Sequence, residues 1–156
     1  VGVTEIESFA LAARLRTAGS AAIATFRDRA AATAGRTAAD RLGAKLPCPL
    51  LAEGACSVYR ERPLSCRVVV SFDVAPCRDE FEGQTGDIEI PGHYTTHARN
   101  ALAALDLALA EAKRPLRYFE LGAAVLRVLD MPDAEARWRR GDDVFAGLEV
   151  EADASA

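Results

Sequence analysis

The chain lacks a surplus of positive charge. Its 156 residues include 19 lysines and arginines against 23 aspartates and glutamates, which gives a net charge of -4. Because affinity for nucleic acid rests largely on basic side chains that neutralise phosphates, this balance argues against a nucleic-acid partner. The sequence also has no glycine-rich phosphate loop of the form G-x-G-x-x-G or G-x-x-x-x-G-K, so nucleotide chemistry has no support.

Long apolar runs are also missing. The richest stretch, "ALAALDLALAEA", is interrupted by Asp106 and is shorter than the ~20 residues of a membrane-spanning helix. No signal peptide is visible, so we expect a cytoplasmic protein with no membrane partner. The sequence opens on "VGVTEIESFALAARL" without an initiator methionine, which we interpret as the interior of a longer sequence.

The composition, 50% hydrophobic and 27% charged, predicts one globular domain over residues 1–150, followed by a frayed tail over 151–156. The flanks of the chain have helical patterns. Thr4 and Glu7 have the spacing of a capping box, which predicts a helix that ends near Gly19. An alanine-rich helix is expected over 21–42, with Gly35 as a break.

The second half of the chain adds three more expected helices. Apolar residues at helical spacing predict helices over 93–113 and 116–129. A short helix containing Trp138 is expected to begin after Asp130 as its N-cap and to end at Gly141. Only "CRVVVSF", residues 66–72, is typical of a strand. The sequence therefore predicts the all-α class, with an irregular loop region over 45–92.

All four cysteines lie in that loop region, within "CPLLAEGACSVYRERPLSCRVVVSFDVAPC", residues 48–77. Residues 45–92 also contain five of the seven prolines, which excludes long regular elements. A loop of this length in a small domain needs something other than helix packing to order it.

Three interpretations of the cysteines are open. They are buried apolar residues, disulfide partners or metal ligands. Burial alone does not explain the clustering, and disulfides require an oxidising compartment. Thiolates are soft ligands for zinc or iron-sulfur clusters, and their convergence would order the loops. The spacing of eight to eleven positions lacks the C-x-x-C pairs of common zinc motifs.

The segment resembles the YkgJ-type cysteine-cluster proteins, a bacterial family described as zinc- or iron-chelating. The likeness lies in "CPLL" followed by "CSVYRERPLSCR" and "SFDVAPC". It implies a metal site that uses Cys48, Cys56, Cys66 and Cys77, either as four ligands or as a subset completed by cysteines upstream of this sequence. Members of the family carry a further group of the form C-x-x-C-C upstream of the position where this chain begins, and this sequence has no such group.

Two arginines are candidate cofactor-binding residues beside the cysteines. Arg62 and Arg67 would place positive charge next to thiolates, lowering thiol pKa values and offsetting the charge of an anionic cluster. The alternative is surface ion pairing with Glu61 or Asp73.

Two histidines are further candidates. His93 and His97 are four positions apart, so both rings can face one metal if the helix includes them. The alternative is a pair satisfied by solvent or by capping at the start of a helix.

These observations favour a cysteine-cluster metal-binding protein that acts as an accessory or electron-transfer subunit. Its expected partner is a protein of the redox-enzyme class. An iron-sulfur cluster is preferred over zinc, because adjacent arginines suit an anionic cofactor. Two alternatives remain open, a structural zinc-binding interaction protein and a thiol-dependent enzyme.

Overall fold

A computed structural model describes residues 2–33, 36–68, 70–84 and 87–148, apart from the side chains at 38, 39 and 42. The chain is mainly helical, which confirms the all-α class. The helices are α1 Glu5–Ala18, α2 Ser20–Thr33, α3 Ala38–Gly43, α4 Leu64–Val68, α5 Ala75–Glu82, α6 Gly92–Glu111, α7 Leu121–Asp130 and α8 Ala134–Arg140. The strands are β1 Gly2–Thr4, β2 Leu51–Ala52, β3 Ala55–Cys56 and β4 Tyr118–Glu120, and a 3₁₀ helix spans Tyr59–Glu61.

Two compact units make up the chain. The first combines residues 1–62 with residues 117–156, and the second comprises residues 63–116. The expectation of a single domain over 1–150 stays a prediction. Among the described residues, no helix combines the length and the apolar character needed to cross a membrane.

The capping box at the start of α1 forms as the sequence predicts. The Thr4 hydroxyl accepts a hydrogen bond from the Glu7 amide at 3.3 Å, and the Glu7 carboxylate accepts one from the Thr4 amide at 2.8 Å. Two amides at the helix start are therefore satisfied by side chains. At the other end, Gly19 adopts a φ of 98° and stops the helix, a backbone conformation that favours glycine.

The core of the first unit is formed where α1, α2 and α7 pack together. Beside them, β1 and β4 pair antiparallel, with Val3 opposite Phe119. Most of the buried apolar side chains come from these elements and from the C-terminal segment, and they include Phe9, Leu11, Phe26, Phe119, Val125, Trp138 and Phe145.

A buried carboxylate links both ends of the first unit. Glu5 is 3% exposed and accepts a hydrogen bond from the Trp138 indole N–H at 2.8 Å. The same carboxylate pairs with Arg117, whose guanidinium also bonds to Asp143 at 2.7 Å. These two carboxylates raise the pKa of Arg117, so the guanidinium stays charged.

The second unit is organised around α6. Its more buried residues recur at intervals of four and three, as expected for a helix that packs on one side. They are Ala98, Leu102, Leu105 and Leu109, of which Ala98 and Leu109 are fully buried. Helix α4 packs against α6 within this unit.

The strand expected over 66–72 is wrong where the structure describes it. Residues Leu64–Val68 form α4, and the Cys66 amide closes its first turn on the Pro63 carbonyl at 3.0 Å. Residue 69 lies outside the described part. At Val68, packing of α4 against α6 outweighs the strand preference of valine, since β-propensity depends strongly on context.

Three expected helix boundaries also differ. The helix expected over 21–42 is divided into α2 and α3, and Gly35 lies outside the described residues. The helix expected over 116–129 is preceded by β4, because residues 118–120 pair with β1. The N-cap of α8 is Asp133, while Asp130 is the last residue of α7; Gly141 ends α8 as expected. The tail over 151–156 lies outside the described residues.

Candidate metal centre

All four cysteines are in the thiol form and partly buried. No disulfide joins them, so the disulfide interpretation has no support in this structure. Cys48 and Cys56 belong to the first unit, and Cys66 and Cys77 belong to the second.

A turn followed by a hairpin brings Cys48 and Cys56 into one neighbourhood. The Leu51 amide donates to the Cys48 carbonyl at 2.9 Å and closes a turn. In such a turn the Cα atoms of Cys48 and Leu51 lie within about 7 Å of each other. Leu51 then pairs directly with Cys56 across the β2–β3 hairpin, where paired Cα atoms are about 5 Å apart. Local backbone geometry therefore groups two potential thiolate ligands.

The hairpin is closed by the shortest common loop. Glu53 and Gly54 connect the strands and have φ values of 50° and 78°. Positive φ at both loop positions is the pattern of a type I′ turn, whose twist matches that of the paired strands. Ser57 extends the hairpin, because both its amide and its hydroxyl donate to the Leu50 carbonyl at 2.9 Å.

Helix α2 anchors the hairpin to the first unit. The Arg29 guanidinium donates to the Leu51 carbonyl, on the strand that faces Cys56. Leu50 and Val58, on either side of the hairpin, are 2% exposed. The turn and hairpin are thus fixed to the core by apolar burial and by one long-range hydrogen bond.

Burial raises the pKa of the Cys48 thiol above its ordinary value of 9.0. The nearby Cys56 acts in the same direction, because two thiolates repel each other. The expectation that Arg62 and Arg67 lower the pKa of neighbouring thiols stays a prediction. A metal that binds the Cys48 sulfur must displace its proton.

An open depression adjoins Cys56 in the first unit. Its walls are Arg14, Cys56, Ser57, Tyr59, Arg60 and Glu61. The Arg14 guanidinium lies 3.7 Å from the Glu61 carboxylate, a loose and half-exposed ion pair. Sequence reasoning missed Arg14, and no signal in the sequence pairs it with Cys56, because packing of α1 against the 3₁₀ helix brings it there.

Arg62 and Arg67 have different surroundings. The Arg62 guanidinium stacks on the Tyr59 ring at 4.3 Å from its centroid, a cation–π contact that the sequence does not reveal. Arg67 is exposed on α4, one residue after Cys66. Their role as cofactor-binding residues stays a prediction.

Cys66 and Cys77 both lie in the first turn of a short helix, α4 and α5 respectively. The Cys77 thiol donates to the Asp73 carbonyl, with a sulfur-to-oxygen distance of 3.8 Å. This contact holds the Cys77 side chain near the start of α5.

His93 and His97 both lie in α6 and are exposed. The helix includes both residues, so they share a face one turn apart. The His93 ring contacts the Tyr94 ring at 4.4 Å between centroids. Within the ranges that the structure describes, no three histidine, cysteine, aspartate or glutamate side chains form a group able to hold a metal ion.

Comparisons with known proteins identify no relative: no family model, no curated protein and no solved structure matches this chain. The structure itself shows a mainly helical protein with a cysteine-bearing middle segment. The resemblance to the YkgJ-type proteins stays a sequence-based prediction.

Proposed function

We propose that this chain is a thiolate metal-binding protein whose ligands are Cys48, Cys56, Cys66 and Cys77. The observation that carries the proposal is the turn and hairpin that group Cys48 with Cys56 in the first unit. The thiol state of all four cysteines supports it, since disulfides would leave no ligands. Sulfur donors suit zinc or an iron-sulfur cluster and exclude hard cations such as Mg²⁺.

The described side chains form no ready three-ligand group, so binding would be coupled to rearrangement of the cysteine segment. Metal sites in small domains commonly assemble in this way, with binding energy contributing to folding. When bound, a cluster would supply one-electron chemistry and zinc would supply a structural cross-link. The chain's own residues would hold the group, and Arg67 would offset its negative charge.

An iron-sulfur cluster in an accessory or electron-transfer subunit is the preferred form of this function, and a reducing cytoplasm the preferred location, because thiols persist there. A structural zinc-binding interaction protein is the second form. A thiol-dependent enzyme is less well supported at Cys48, since a nucleophile needs a lowered thiol pKa and burial raises this one.

The test begins with the metal content of the full chain, purified without oxygen. Iron with acid-labile sulfide and a visible absorption band would identify a cluster. Zinc at one equivalent, with loss of structure after chelation, would identify the zinc form. The absence of both metals, together with no binding of added zinc or Co²⁺, would overturn the proposal.

Paired variants then test the ligands. Cys48→Ser with Cys56→Ser, and Cys66→Ser with Cys77→Ser, should each reduce the intensity of the thiolate-to-cobalt charge-transfer band by about half or more, because each removes two of four sulfur ligands. Ala55→Ser and Ala75→Ser are the matched controls, because they add a hydroxyl within two residues of a cysteine at exposed positions without removing a sulfur. A band of undiminished intensity in either double variant would exclude that pair as ligands.

Labelling separates the enzyme alternative from the binding protein. A thiol enzyme requires one cysteine that reacts with iodoacetamide much faster than the other three while metal is bound. A ligand set predicts the opposite, with all four thiols protected by the metal and exposed together on its removal.

A further inference from the structure

Local sequence specifies both ends of helix α5. At its start, the Asp73 carboxylate accepts a hydrogen bond from the Ala75 amide at 2.9 Å, and Pro76 lies in the first turn. At its end, Gly83 is left-handed with a φ of 86°, and the Gln84 amide bonds to the Asp79 carbonyl at 2.8 Å. The local sequence thus favours a helix start at the first end and a glycine C-cap at the second.

Helix α5 packs only lightly, with Pro76, Cys77 and Asp79 half-buried and its other five residues exposed. None of its eight residues, all of them described, is buried. Isolated helices shorter than about 12 residues are marginal in water, and most helices in proteins are held by packing of an apolar face. A capped helix of this length that packs so little is expected to gain stability from a second surface.

The apolar side chains of this segment lie where a second surface could reach them. Val74 and Phe81 are 58% and 52% exposed and seven positions apart, which places them on one side of the helix. Phe72, two residues before Val74, is 73% exposed. Three large apolar side chains within ten residues therefore face solvent, an arrangement typical of binding sites rather than of scattered surface residues.

The charge of the same segment is strongly one-sided. Between Phe72 and Ile90 the only basic residue is Arg78, against six acidic residues, Asp73, Asp79, Glu80, Glu82, Asp87 and Glu89. On α5 itself, Glu80 and Glu82 are exposed on either side of the face that carries Val74 and Phe81, and the exposed Arg78 lies one turn from both apolar residues. An apolar surface on a segment with this excess of negative charge calls for an apolar groove in a partner surface of net positive charge.

We propose that Phe72, Val74 and Phe81 form a docking surface for a partner protein that presents an apolar groove rimmed by lysine and arginine. This is the helix-in-groove mode of recognition, with Val74 and Phe81 as anchors about two turns apart. The carboxylates repel nucleic acid and anionic membranes. They also disfavour a second copy of the chain, because a two-fold contact would bring like charges together. Because Cys77 lies on α5 between Val74 and Phe81, the partner would cover that thiol.

The test uses a defined probe, a synthetic helical peptide with a leucine stripe bordered by lysines, titrated into the ¹⁵N-labelled full chain. We expect the largest amide shifts over residues 72–84. Phe72→Ser combined with Phe81→Ser should weaken binding by at least about tenfold. Leu107→Ser is the matched control, since Leu107 is 69% exposed on α6 in the same unit, and it should leave the affinity unchanged.

Variants that remove negative charge distinguish this docking from simple ionic attraction. Glu80→Gln with Glu82→Gln should lower the association rate and reduce its salt dependence, while the shifts stay within 72–84. Amide chemical-shift changes spread over other acidic surfaces would overturn the proposal. An equal loss of peptide affinity in Leu107→Ser would also overturn it. So would the same shifts produced by raising the protein concentration alone, which would indicate a second copy, or by uncharged lipid vesicles, which would indicate a lipid surface.

We expect binding of the peptide to be independent of metal binding. The peptide titration is made with all four cysteines intact and again in the cysteine variants described above. Docking that persists without metal supports the surface whatever the result of the metal analysis.

Discussion

Trp138 donates its indole N–H to the carboxylate of Glu5 across 133 positions of the sequence, at 2.8 Å. The same carboxylate pairs with Arg117 at the entrance to β4. One buried acid therefore links the start of α1, the segment before β4 and helix α8. A buried charge is tolerated only when its partners satisfy it, so this carboxylate makes the first unit sensitive to changes at each of them.

Glu5→Gln should destabilise the protein strongly. The amide retains an acceptor for Trp138 but leaves the Arg117 guanidinium without one of its two carboxylates. Removing one partner of a buried ion pair costs about 3 kcal/mol or more, and the remaining Asp143 contact reduces that cost, so we expect about 2 kcal/mol. Urea unfolding followed by Trp138 fluorescence measures the change.

Glu135→Gln is the control for this prediction. Glu135 pairs with Arg139 on α8, where the two side chains are 53% and 69% exposed. Exposed pairs of this kind contribute less than about 1 kcal/mol, so its free energy of unfolding should hardly change. Equal losses in the two variants would show that burial does not set the importance of Glu5.

Gly122→Ala should also destabilise the protein, although alanine favours helices. An added Cβ would lie 3.0 Å from a Glu120 carboxylate oxygen, 3.1 Å from the Thr33 hydroxyl and 3.3 Å from the Ala30 Cβ. Overpacking of this kind costs about 1–3 kcal/mol, which exceeds the gain of ~1 kcal/mol in helix propensity. Thermal unfolding of the variant and the unaltered protein measures whether the substitution lowers or raises the melting temperature.

Gly92→Ala provides the opposite case. Nothing lies within 4 Å of a Cβ built at Gly92, the first residue of α6. We expect a stabilisation of about 0.5 kcal/mol, because alanine restricts the unfolded chain. If both glycine variants change stability in the same direction, the close approach of α7 to α2 is not what requires Gly122.

The metal-free protein should lose stability in alkaline solution because of Cys48. Burial raises the pKa of this thiol above 9.0, so the folded state holds its proton more tightly than the unfolded state. The contribution of the thiol to stability is complete below about pH 9 and is lost as the pH rises through the folded pKa. Urea unfolding of the reduced, metal-free chain at neutral and alkaline pH measures it.

Cys48→Ser should flatten that alkaline decline, since serine does not titrate there. Metal binding has the opposite dependence, because it displaces the proton, so affinity should rise with pH. An alkaline slope unchanged in Cys48→Ser would assign the loss to other groups.

Local signals in the sequence predicted the helices of the flanks well. Thr4 and Glu7 form the expected capping box, and Gly141 ends the last helix as expected. The errors arose where distant contacts decide. Residues 118–120 form β4 because β1 lies beside them, and Val68 lies in a helix, α4, that packs against α6. The sequence pattern within each segment does not indicate which distant element packs beside it.

The assignment of the four cysteines as ligands stays a prediction, and the sequence did not indicate their surroundings. Clustering in the sequence singled out the four cysteines. It did not reveal that Leu51 pairs with Cys56, that Arg14 lines the same depression or that Arg62 stacks on Tyr59. Nor did it indicate the raised pKa of the Cys48 thiol. Desolvation depends on the packed fold, which composition does not specify.

The hairpin loop gives the last prediction, which rests on the proposed function. Gly54 has a φ of 78° with open space around it, so Gly54→Val adds backbone strain of about 1–2 kcal/mol without a clash. If the hairpin must form for Cys48 and Cys56 to bind metal, this strain lowers Co²⁺ affinity by about tenfold. Glu53→Asn, which favours the left-handed φ of 50° at that position, should raise affinity slightly.

Gly147→Val is the matched control for the hairpin. Gly147 has nearly the same φ, 77°, also with nothing within 4 Å, and it lies far along the sequence from every cysteine. The two valine variants should lose similar free energies of unfolding, but only Gly54→Val should weaken Co²⁺ binding. Equal affinities would mean that the cysteines bind metal without the hairpin. A loss of affinity in both variants would trace it to overall stability, because metal binding is linked to folding of the whole chain.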